Sequence, residues 1–356
     1  FSYSFSVPVA VRIGVSDYYF FERHLAFSLI SLVLIFLMSN MNSRVARGTS
    51  LLLFQVSLLL LFMVPFFGFQ TKGAKRWLYI AGLSVQPSEF IKPSVILVFA
   101  QLLDKFSRTT NPKILVALMA IYSTVTLLIF RQPDIGTSLL LTIVLSIQIL
   151  MTDFFKPRHC FYLVIVFVVM SVATCTTFPH VSDRITSFIS SVRDPNMANY
   201  QVRRSLMAYR NASWLGRGFL EGKIKDHIPD IHTDFIFPAI AEEFGFLAVF
   251  LIVLLYFYIA LRIILLAGRK SSNYEFLAMN GLTLLLILQV FVNLCVSLNL
   301  LPTKGITLPF LSYGGSSLLG TAIASGYLLV FTKKEFGVVT SGNHLELVNS
   351  QPSNEP

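Results

Sequence analysis

Charged residues are scarce in this chain, and their scarcity excludes an ordinary soluble domain. Asp, Glu, Lys and Arg make up 13% of its 356 residues and hydrophobic residues 54%, whereas a soluble domain carries about 25% charged residues. The mean hydropathy is +0.70. We therefore interpret the chain as a polytopic membrane protein, in which each span needs about 20 mostly apolar residues.

Several motifs of soluble proteins are also missing. The sequence has no Walker phosphate loop, no dinucleotide-binding glycine fingerprint and no Ser-His-Asp order. Its three cysteines, Cys160, Cys175 and Cys295, fall inside apolar runs and indicate no disulfide framework. The net charge of +10 comes without a nucleic-acid-binding motif, so we expect it to orient the chain and to contact anionic lipid, not nucleic acid.

Apolar runs predict the membrane spans. They cover residues 24–39, 51–69, 88–104, 113–130, 135–152, 159–180, 235–266, 276–300 and 308–332. A short apolar stretch at 1–10 is interpreted as the end of a tenth span whose start is missing. We therefore predict an all-α polytopic membrane protein with nine complete transmembrane helices, in which 1–335 form the transmembrane domain. The polar segment 336–356 is predicted to be a disordered cytoplasmic tail.

Basic residues in the short loops orient these spans. One set of alternate loops carries two or more Lys or Arg in every loop, which places that set in the cytoplasm. The opposite set consists of 70–87, 131–134, 181–234 and 301–307. The long loop 181–233 separates the seventh and eighth of the ten expected spans. Because charges near bilayer depth are costly, those in this set suggest a single extracytoplasmic site.

Asp234 is the first candidate for that site. It follows Thr233, a residue type that caps helices, at the start of the run 235–266. A helix N-terminus favours an ionised carboxylate, and such an Asp can accept a proton from a sugar hydroxyl. Ordinary capping is the alternative and is favoured for an isolated Asp. Glu242 recurs eight residues later on the same predicted face, next to Glu243, and capping alone does not explain three acids.

Two groups of basic residues are candidates for phosphate binding. Lys72, Lys75 and Arg76 form a basic turn, and Lys304 lies in a tight loop before the last span. A Lys ammonium is a point charge suited to phosphate. Contact of the turn with anionic headgroups and snorkelling of Lys304 are the alternatives left open. Arg131 also interrupts apolar sequence and is less easily explained by structure alone.

Other polar residues favour structural roles. Glu89 and Asp134 each fall in the first turn of a predicted helix, where capping is the favoured interpretation. One face of the run 276–300 carries Gln289, Asn293 and Ser297, which interhelical hydrogen bonds explain. The small residues at 313–317 favour close helix packing over a cavity wall.

Polar residues in the long loop 181–233 have several interpretations. The stretch 200–215 alternates apolar and basic residues and predicts an amphipathic helix on the outer leaflet. His227 and His232 lie near two acids, but no zinc-ligand pattern supports a metal site there. We expect no organic cofactor and leave a divalent cation open.

In these motifs the chain resembles the SEDS family (shape, elongation, division and sporulation) of bacterial cell-wall proteins. The matching segments are, in family order, 73–77, 86–89, 132–137, 229–237, 242–245 and 301–317. The resemblance implies ten spans in the bacterial inner membrane and polymerisation of lipid II into glycan strands. It implies a class B penicillin-binding protein as transpeptidase partner, together with other division proteins at the septum.

The resemblance also assigns roles to residues. Asp234 corresponds to the leading catalytic residue, and Asp226 to an acid that is important in division members. His232, Glu242 and Ser316 lie inside matching motifs and are taken as substrate-binding candidates with the basic residues above. The Pro-Thr-Lys-Gly sequence at 302–305 favours the division branch over the elongation branch.

Three functions remain open at this point. The first is a lipid II glycosyltransferase with inverting transfer and undecaprenyl pyrophosphate as leaving group. The second is a lipid II flippase, and the third is a non-catalytic scaffold for a division transpeptidase. Clustering of the suspect charges on one face favours chemistry over transport, because a carrier should also show charges that are accessible from the cytoplasm.

Overall fold

The computed structural model describes residues 2–71, 73–152, 157–194, 199–303 and 305–333. The predicted tail 336–356 lies outside these residues. Within them the α-helices are α1 (Ser2–Ile13), α2 (Tyr19–Ser39), α3 (Ser43–Phe67), α4 (Pro87–Thr109), α5 (Pro112–Phe130), α6 (Ile135–Leu150), α7 (Pro157–Thr177), α8 (Pro179–Arg193), α9 (Tyr200–Asn211), α10 (Ile236–Ala267), α11 (Asn273–Ser297) and α12 (Gly315–Thr332). The strands are β1 (Phe69–Thr71), β2 (Ala74–Ile80) and β3 (Leu83–Val85).

The helices confirm the polytopic membrane fold. Of the described helices, 7 are long and apolar enough to cross a membrane, namely α2, α3, α5, α7, α10, α11 and α12. The two other predicted spans correspond to α4 and to α6, which has 16 residues. Each of the nine apolar runs therefore lies on a helix, while the total of ten spans stays a prediction.

Helix α4 is the most polar of the predicted spans because protein surrounds it. It packs against α3, α11 and α12, and most of its length is buried. Its two buried charged residues, Lys92 and Asp104, are paired: Lys92 Nζ lies 2.8 Å from Glu89 Oε1, and Asp104 Oδ2 lies 3.2 Å from Arg47 Nη2. Paired charges are tolerated where an isolated buried charge would be costly.

The loop 70–87 adds a small sheet to the predicted helical fold. The interpretation as a basic turn missed a small antiparallel meander in which Trp77 pairs with Phe69 and Leu78 with Val85. The guanidinium of Arg76, on β2, donates to the carbonyls of Gln132 at 2.9 Å and Pro133 at 2.7 Å. The sheet is thereby fixed to the turn between α5 and α6.

Helix α10 is broken where a continuous span was predicted. Gly245 has φ +83° and ψ 172°, which leaves backbone groups of the helix unpaired. The segment 213–218 supplies partners: the amides of Arg217 and Gly218 donate to the carbonyls at 242 and 243, and those at 246 and 247 donate to the carbonyls at 213 and 214. Two glycines allow this approach, because a Cβ on Gly216 would lie 2.1 Å from a backbone oxygen and one on Gly245 2.2 Å.

Helix α9 corrects the prediction of an amphipathic helix on the outer leaflet. The helix forms, but its apolar side packs against α10 and α11. The hydroxyl of Ser205 donates to the carbonyl of Ser297 at 2.6 Å, and the hydroxyls of Tyr209 and Ser297 are 2.9 Å apart. An amphipathic pattern shows that one side avoids water, but a protein surface and a lipid surface satisfy it equally.

Candidate functional site

A cavity of about 650 Å³ lies at the end of the bundle that carries the sheet. Its lining comes from the sheet, the first turns of α4 and α12, helix α8, the region around the start of α9, the residues before α10 and the loop before α12. Three of the four loops assigned to one face, 70–87, 181–234 and 301–307, therefore meet around it. The fourth, 131–134, contacts the cavity residue Arg76.

Asp234 lines this cavity from a turn and not from the helix. Helix α10 begins at Ile236 with Phe235 as its N-cap, so the prediction that Asp234 lies in the first helical turn is wrong. The Asp234 amide donates to the Asp230 carbonyl at 3.0 Å and closes the turn. A Cβ on Gly305, which has φ +71°, would lie 3.1 Å from Asp234 Oδ2. The loop before α12 therefore approaches the carboxylate closely.

Helix α11 fixes the backbone of this turn. The side-chain amide of Asn293 donates to the carbonyl of Asp234 at 3.1 Å and to that of Ile306 at 2.7 Å. The hydroxyl of Ser312 donates to the carbonyl of Thr233. The hydrogen bonds of Asn293 were predicted to run between helices, but both end on loop carbonyls, at Asp234 before α10 and at Ile306 before α12. They join both cavity loops to one helix.

Two guanidinium groups line the cavity with Asp234. Arg76 was a candidate, whereas Arg184, on α8, was missed by sequence reasoning. Burial lowers the pKa of Arg184, and the positive charge of Arg76 lowers it further. The carboxylates of Asp234 and Asp134 act in the opposite direction. Because an Arg side chain stays protonated in proteins, both guanidinium groups present positive charge to the cavity.

Further polar residues complete the lining. Asp230 accepts a hydrogen bond from Gln201 at 3.2 Å, and both residues line the cavity. Glu89 also lines it and is held by Lys92. Asp134 does not line it. Asp134 accepts from the amide of Thr137 at 3.2 Å, which confirms capping as its role.

Several predicted substrate-binding residues lie outside the lining. Lys75 and Arg131 are exposed and do not line the cavity. Ser316 accepts from the Gln86 amide at 3.0 Å and joins α12 to α4, whereas its neighbour Ser317 lines the cavity. The predicted residues Lys72 and Lys304 lie outside the described residues, and their roles stay predictions.

His232 belongs to an aromatic cluster beside the cavity. Its ring centroid lies 5.1 Å from that of Phe20 and 5.2 Å from that of Tyr313. Its carbonyl accepts from the amide of Tyr313 at 2.7 Å. The ring lines a small separate cavity with Phe20, His24 and Tyr313, so its contribution to the Asp234 turn is positional.

Glu242 has a structural role. It is fully buried, at 0% exposure, and its carboxylate accepts from the amides of Lys223, Ile224 and Lys225 at 3.0, 2.9 and 2.8 Å. It is not part of the cavity lining. Its contribution is to hold the loop that leads to Asp230 against α10.

Asp226 also lies away from the cavity lining. It is in a 3-10 turn (Lys225–His227), with a side chain that is 49% exposed and 4.0 Å from Lys225 Nζ. Its carbonyl accepts from Arg12 at 2.6 Å. Among the residues that the structure describes, no group of three His, Cys, Asp or Glu side chains is placed to hold a metal ion.

Comparison with known proteins gives consistent matches over nearly the whole chain. The model of the FtsW/RodA/SpoVE family, described as "Cell cycle protein", matches residues 1–335. The "Probable peptidoglycan glycosyltransferase FtsW" of Caulobacter vibrioides is 33% identical over 339 residues, covering 94% of this chain and 85% of that protein. The protein of the same name from Trichlorobacter lovleyi is 34% identical over 337 residues, covering 92% and 87%.

Solved structures share the fold. One, described as "Structural coordination of polymerization and crosslinking by a peptidoglycan synthase complex", superposes with a TM-score of 0.71 at 27% identity, covering 92% of this chain and 95% of that chain. The rod shape determining protein RodA of Thermus thermophilus superposes with a TM-score of 0.65 at 25% identity, covering 93% of both chains.

Proposed function

The chain belongs to the FtsW/RodA/SpoVE family of cell cycle proteins, and we propose that it is a peptidoglycan glycosyltransferase that polymerises lipid II during septal wall synthesis. The observation that carries the proposal is the lining of one cavity by a turn-borne carboxylate, Asp234, and two guanidinium groups, Arg76 and Arg184. A base and fixed positive charge are what transfer from a pyrophosphate donor requires.

Asp234 is the general base in this proposal. It takes the proton from the 4-hydroxyl of the acceptor's N-acetylglucosamine as that oxygen attacks the anomeric carbon of the donor's N-acetylmuramic acid. The bond from that carbon to the pyrophosphate oxygen breaks, and undecaprenyl pyrophosphate leaves with the electron pair. One displacement inverts the α-linked donor to a β-1,4 product, so no covalent enzyme intermediate is needed.

Arg76 and Arg184 stabilise the leaving group. Negative charge grows on the pyrophosphate as the bond breaks, and preorganised cations are strongest where water is excluded. The carbonyls of Gln132 and Pro133 hold Arg76 in place before substrate arrives. Lys304 and Lys72 remain further candidates for the same role. Donor and acceptor must meet at one site, and the proposal places the two reacting sugars and the pyrophosphate in the cavity of about 650 Å³.

The same proposal includes the setting of the reaction. Residues 1–335 form the transmembrane domain, the loop 181–233 lies on the extracytoplasmic face of the bacterial inner membrane, and the protein works at the septum. A class B penicillin-binding protein is the transpeptidase partner. The similarity to a chain of a peptidoglycan synthase complex supports a polymerase that works with a crosslinking enzyme.

Polymerisation of labelled lipid II by the purified protein, with and without its transpeptidase partner, tests this proposal. Asp234→Asn should lose about 10²–10⁴-fold in strand formation while its thermal unfolding stays near that of the wild type. Asp183→Asn is the matched control, because Asp183 is exposed on α8 and lies outside the cavity lining.

Near wild-type strand formation by Asp234→Asn would refute the general-base role. If the wild type forms no strands with its partner but moves lipid II across vesicle membranes, the flippase alternative replaces the proposal. If it neither forms strands nor moves lipid II, the scaffold alternative replaces the proposal.

A further inference from the structure

A second cavity, of about 360 Å³, lies between α3 and α4. Its charged residues are Arg47, near the start of α3, and Asp104, Lys105 and Arg108, near the end of α4. Helix α4 begins at the first cavity with Glu89, so Asp104 lies about 22 Å further along the helix axis. The second cavity is therefore at the opposite end of the bundle from Asp234.

The positive groups at this cavity are held in place by a buried acid. Asp104 is only 3% exposed, and it binds Arg47 Nη2 at 3.2 Å and Arg108 Nη2 at 3.1 Å. The guanidinium of Arg47 also lies over the ring of Tyr274, 4.3 Å from its centroid. Two guanidinium groups are thus oriented before any ligand binds.

The cavity carries more positive charge than Asp104 needs. Three cations face one carboxylate, so the lining is positive. Each guanidinium has five N–H donors, and the bonds to Asp104 use only part of that capacity. The side chains of Arg47 and Arg108 are 42% and 65% exposed, so an anion can reach them. Neutralisation of Asp104 alone explains one cation and leaves the others without a reason.

Apart from Gln101, the remaining wall is apolar. Leu51, Val98 and Leu102 line the same cavity, and Leu51 follows Arg47 by one helical turn on α3. A soluble anion gains nothing from such a wall. A phospholipid does, because its headgroup phosphate reaches the cations while its acyl chain lies along the leucines and valine.

We propose that this cavity binds an anionic phospholipid through its headgroup phosphate. The shared chemistry is that of a phosphate or phosphodiester on two guanidinium groups and an ammonium. Basic pockets between spans are known to take anionic headgroups. The proposal does not depend on the proposed glycosyltransferase function, because it uses no residue of the Asp234 cavity.

Native mass spectrometry of the delipidated full-length protein in detergent tests the proposal. Titration with phosphatidylglycerol should give a saturable bound species, whereas phosphatidylcholine should bind more weakly. Lys105→Gln should weaken phosphatidylglycerol binding by about fivefold, the value of one basic residue near an anionic headgroup, and Lys105→Glu should weaken it more. Lys105 is exposed, so both variants should fold.

Lys113→Gln is the matched control, since Lys113 is an exposed lysine at the same end, on α5, and outside the cavity lining. Equal binding of the two lipids, or equal weakening by Lys105→Gln and Lys113→Gln, would overturn the proposal. A further arm adds inorganic phosphate as competitor. Displacement of phosphatidylglycerol by phosphate at similar concentration would identify a soluble-anion site and overturn the lipid assignment.

Discussion

Two pairs of acids lie close together in the sequence and have opposite surroundings in the structure. Asp230 and Asp234 line an open cavity, whereas Glu242 and Glu243 are buried at 0% and 1% exposure. Glu242 is bound by three backbone amides. Glu243 accepts from the Leu220 amide at 3.1 Å and lies 2.6 Å from Lys225 Nζ.

The difference shows that neighbouring acids in one stretch of chain have different roles: one pair faces the proposed site of reaction, and the other stabilises the fold. A carboxylate that faces a cavity can exchange partners with a substrate, as proton transfer requires. A carboxylate that is buried away from water must find its hydrogen-bond and ion-pair partners within the protein, because an unpaired buried charge is very costly. The buried pair holds the loop 220–225 on α10, and that loop leads to the turn that carries Asp234.

The largest effect should come from removing the cation of the buried pair. Lys225 is 2% exposed and also donates to the carbonyl and hydroxyl of Ser4, at 3.1 and 2.9 Å. Lys225→Met leaves the buried carboxylate of Glu243 without its counter-ion, and breaking a buried ion pair typically costs about 3–5 kcal/mol. We expect a large loss of thermal stability in detergent. Lys223→Met is the control, since Lys223 is exposed in the same loop.

The double variant Lys225→Met, Glu243→Gln separates the ion pair from general damage to the loop. It should recover much of the lost stability, because replacing both partners removes the uncompensated charge. If Lys225→Met unfolds no earlier than Lys223→Met, the buried pair does not hold the loop, and the contrast between the two acid pairs fails.

A smaller effect should follow from filling the break in α10. Gly245→Ala places a Cβ 2.2 Å from the Trp214 carbonyl oxygen, on a backbone with φ +83°. Such strained positions cost about 1–3 kcal/mol each, so thermal stability should fall. Gly268→Ala is the matched control, because its nearest atoms lie 3.8 Å away. A Gly245→Ala protein as stable as the Gly268→Ala protein would show that the segment 213–218 is not held at the break.

The sequence predicted the helices well because apolar runs report directly on the removal of side chains from water. It also predicted that Asp234 and Arg76 belong to one site, because the basic loops identify the cytoplasmic face and both residues lie in loops of the opposite face. It did not distinguish lipid from protein as the apolar partner, and α9 was therefore assigned to the leaflet. The identity of the partner depends on Tyr209 and Ser297, which are 88 residues apart.

The features that the sequence did not predict depend on contacts between residues far apart in the chain, which no local pattern encodes. The break at Gly245 requires the close approach of Gly216. The prediction that Asp234 and Glu242 share one face of a helix is wrong, because Asp234 precedes the helix. Arg184 became a site residue only when α8 placed it beside the sheet that carries Arg76. Arg184 follows Asp183 and shares α8 with Arg193, so no local charge pattern distinguished it.

The smallest expected effect concerns Asp226, which precedes both pairs of acids in the sequence. Burial raises its pKa above the ordinary value of 3.8; Lys225 and His227 lower it, and Glu242 and Glu243 raise it. A carboxyl whose pKa is raised in the folded state binds its proton more tightly there than in the unfolded chain. Its contribution to stability is therefore present below pH 3.8 and is lost as the pH rises through the raised pKa. Because the side chain is half exposed, solvent screening keeps the effect small.

Thermal unfolding of Asp226→Asn and of the wild type, measured from acid to neutral pH, tests this expectation, with Asp183→Asn as the charge control. The two proteins should be equally stable in acid, and Asp226→Asn should be slightly more stable at neutral pH. If Asp226→Asn is the less stable protein at neutral pH, the attraction of Lys225 outweighs burial, and Asp226 belongs with the paired acids of the fold.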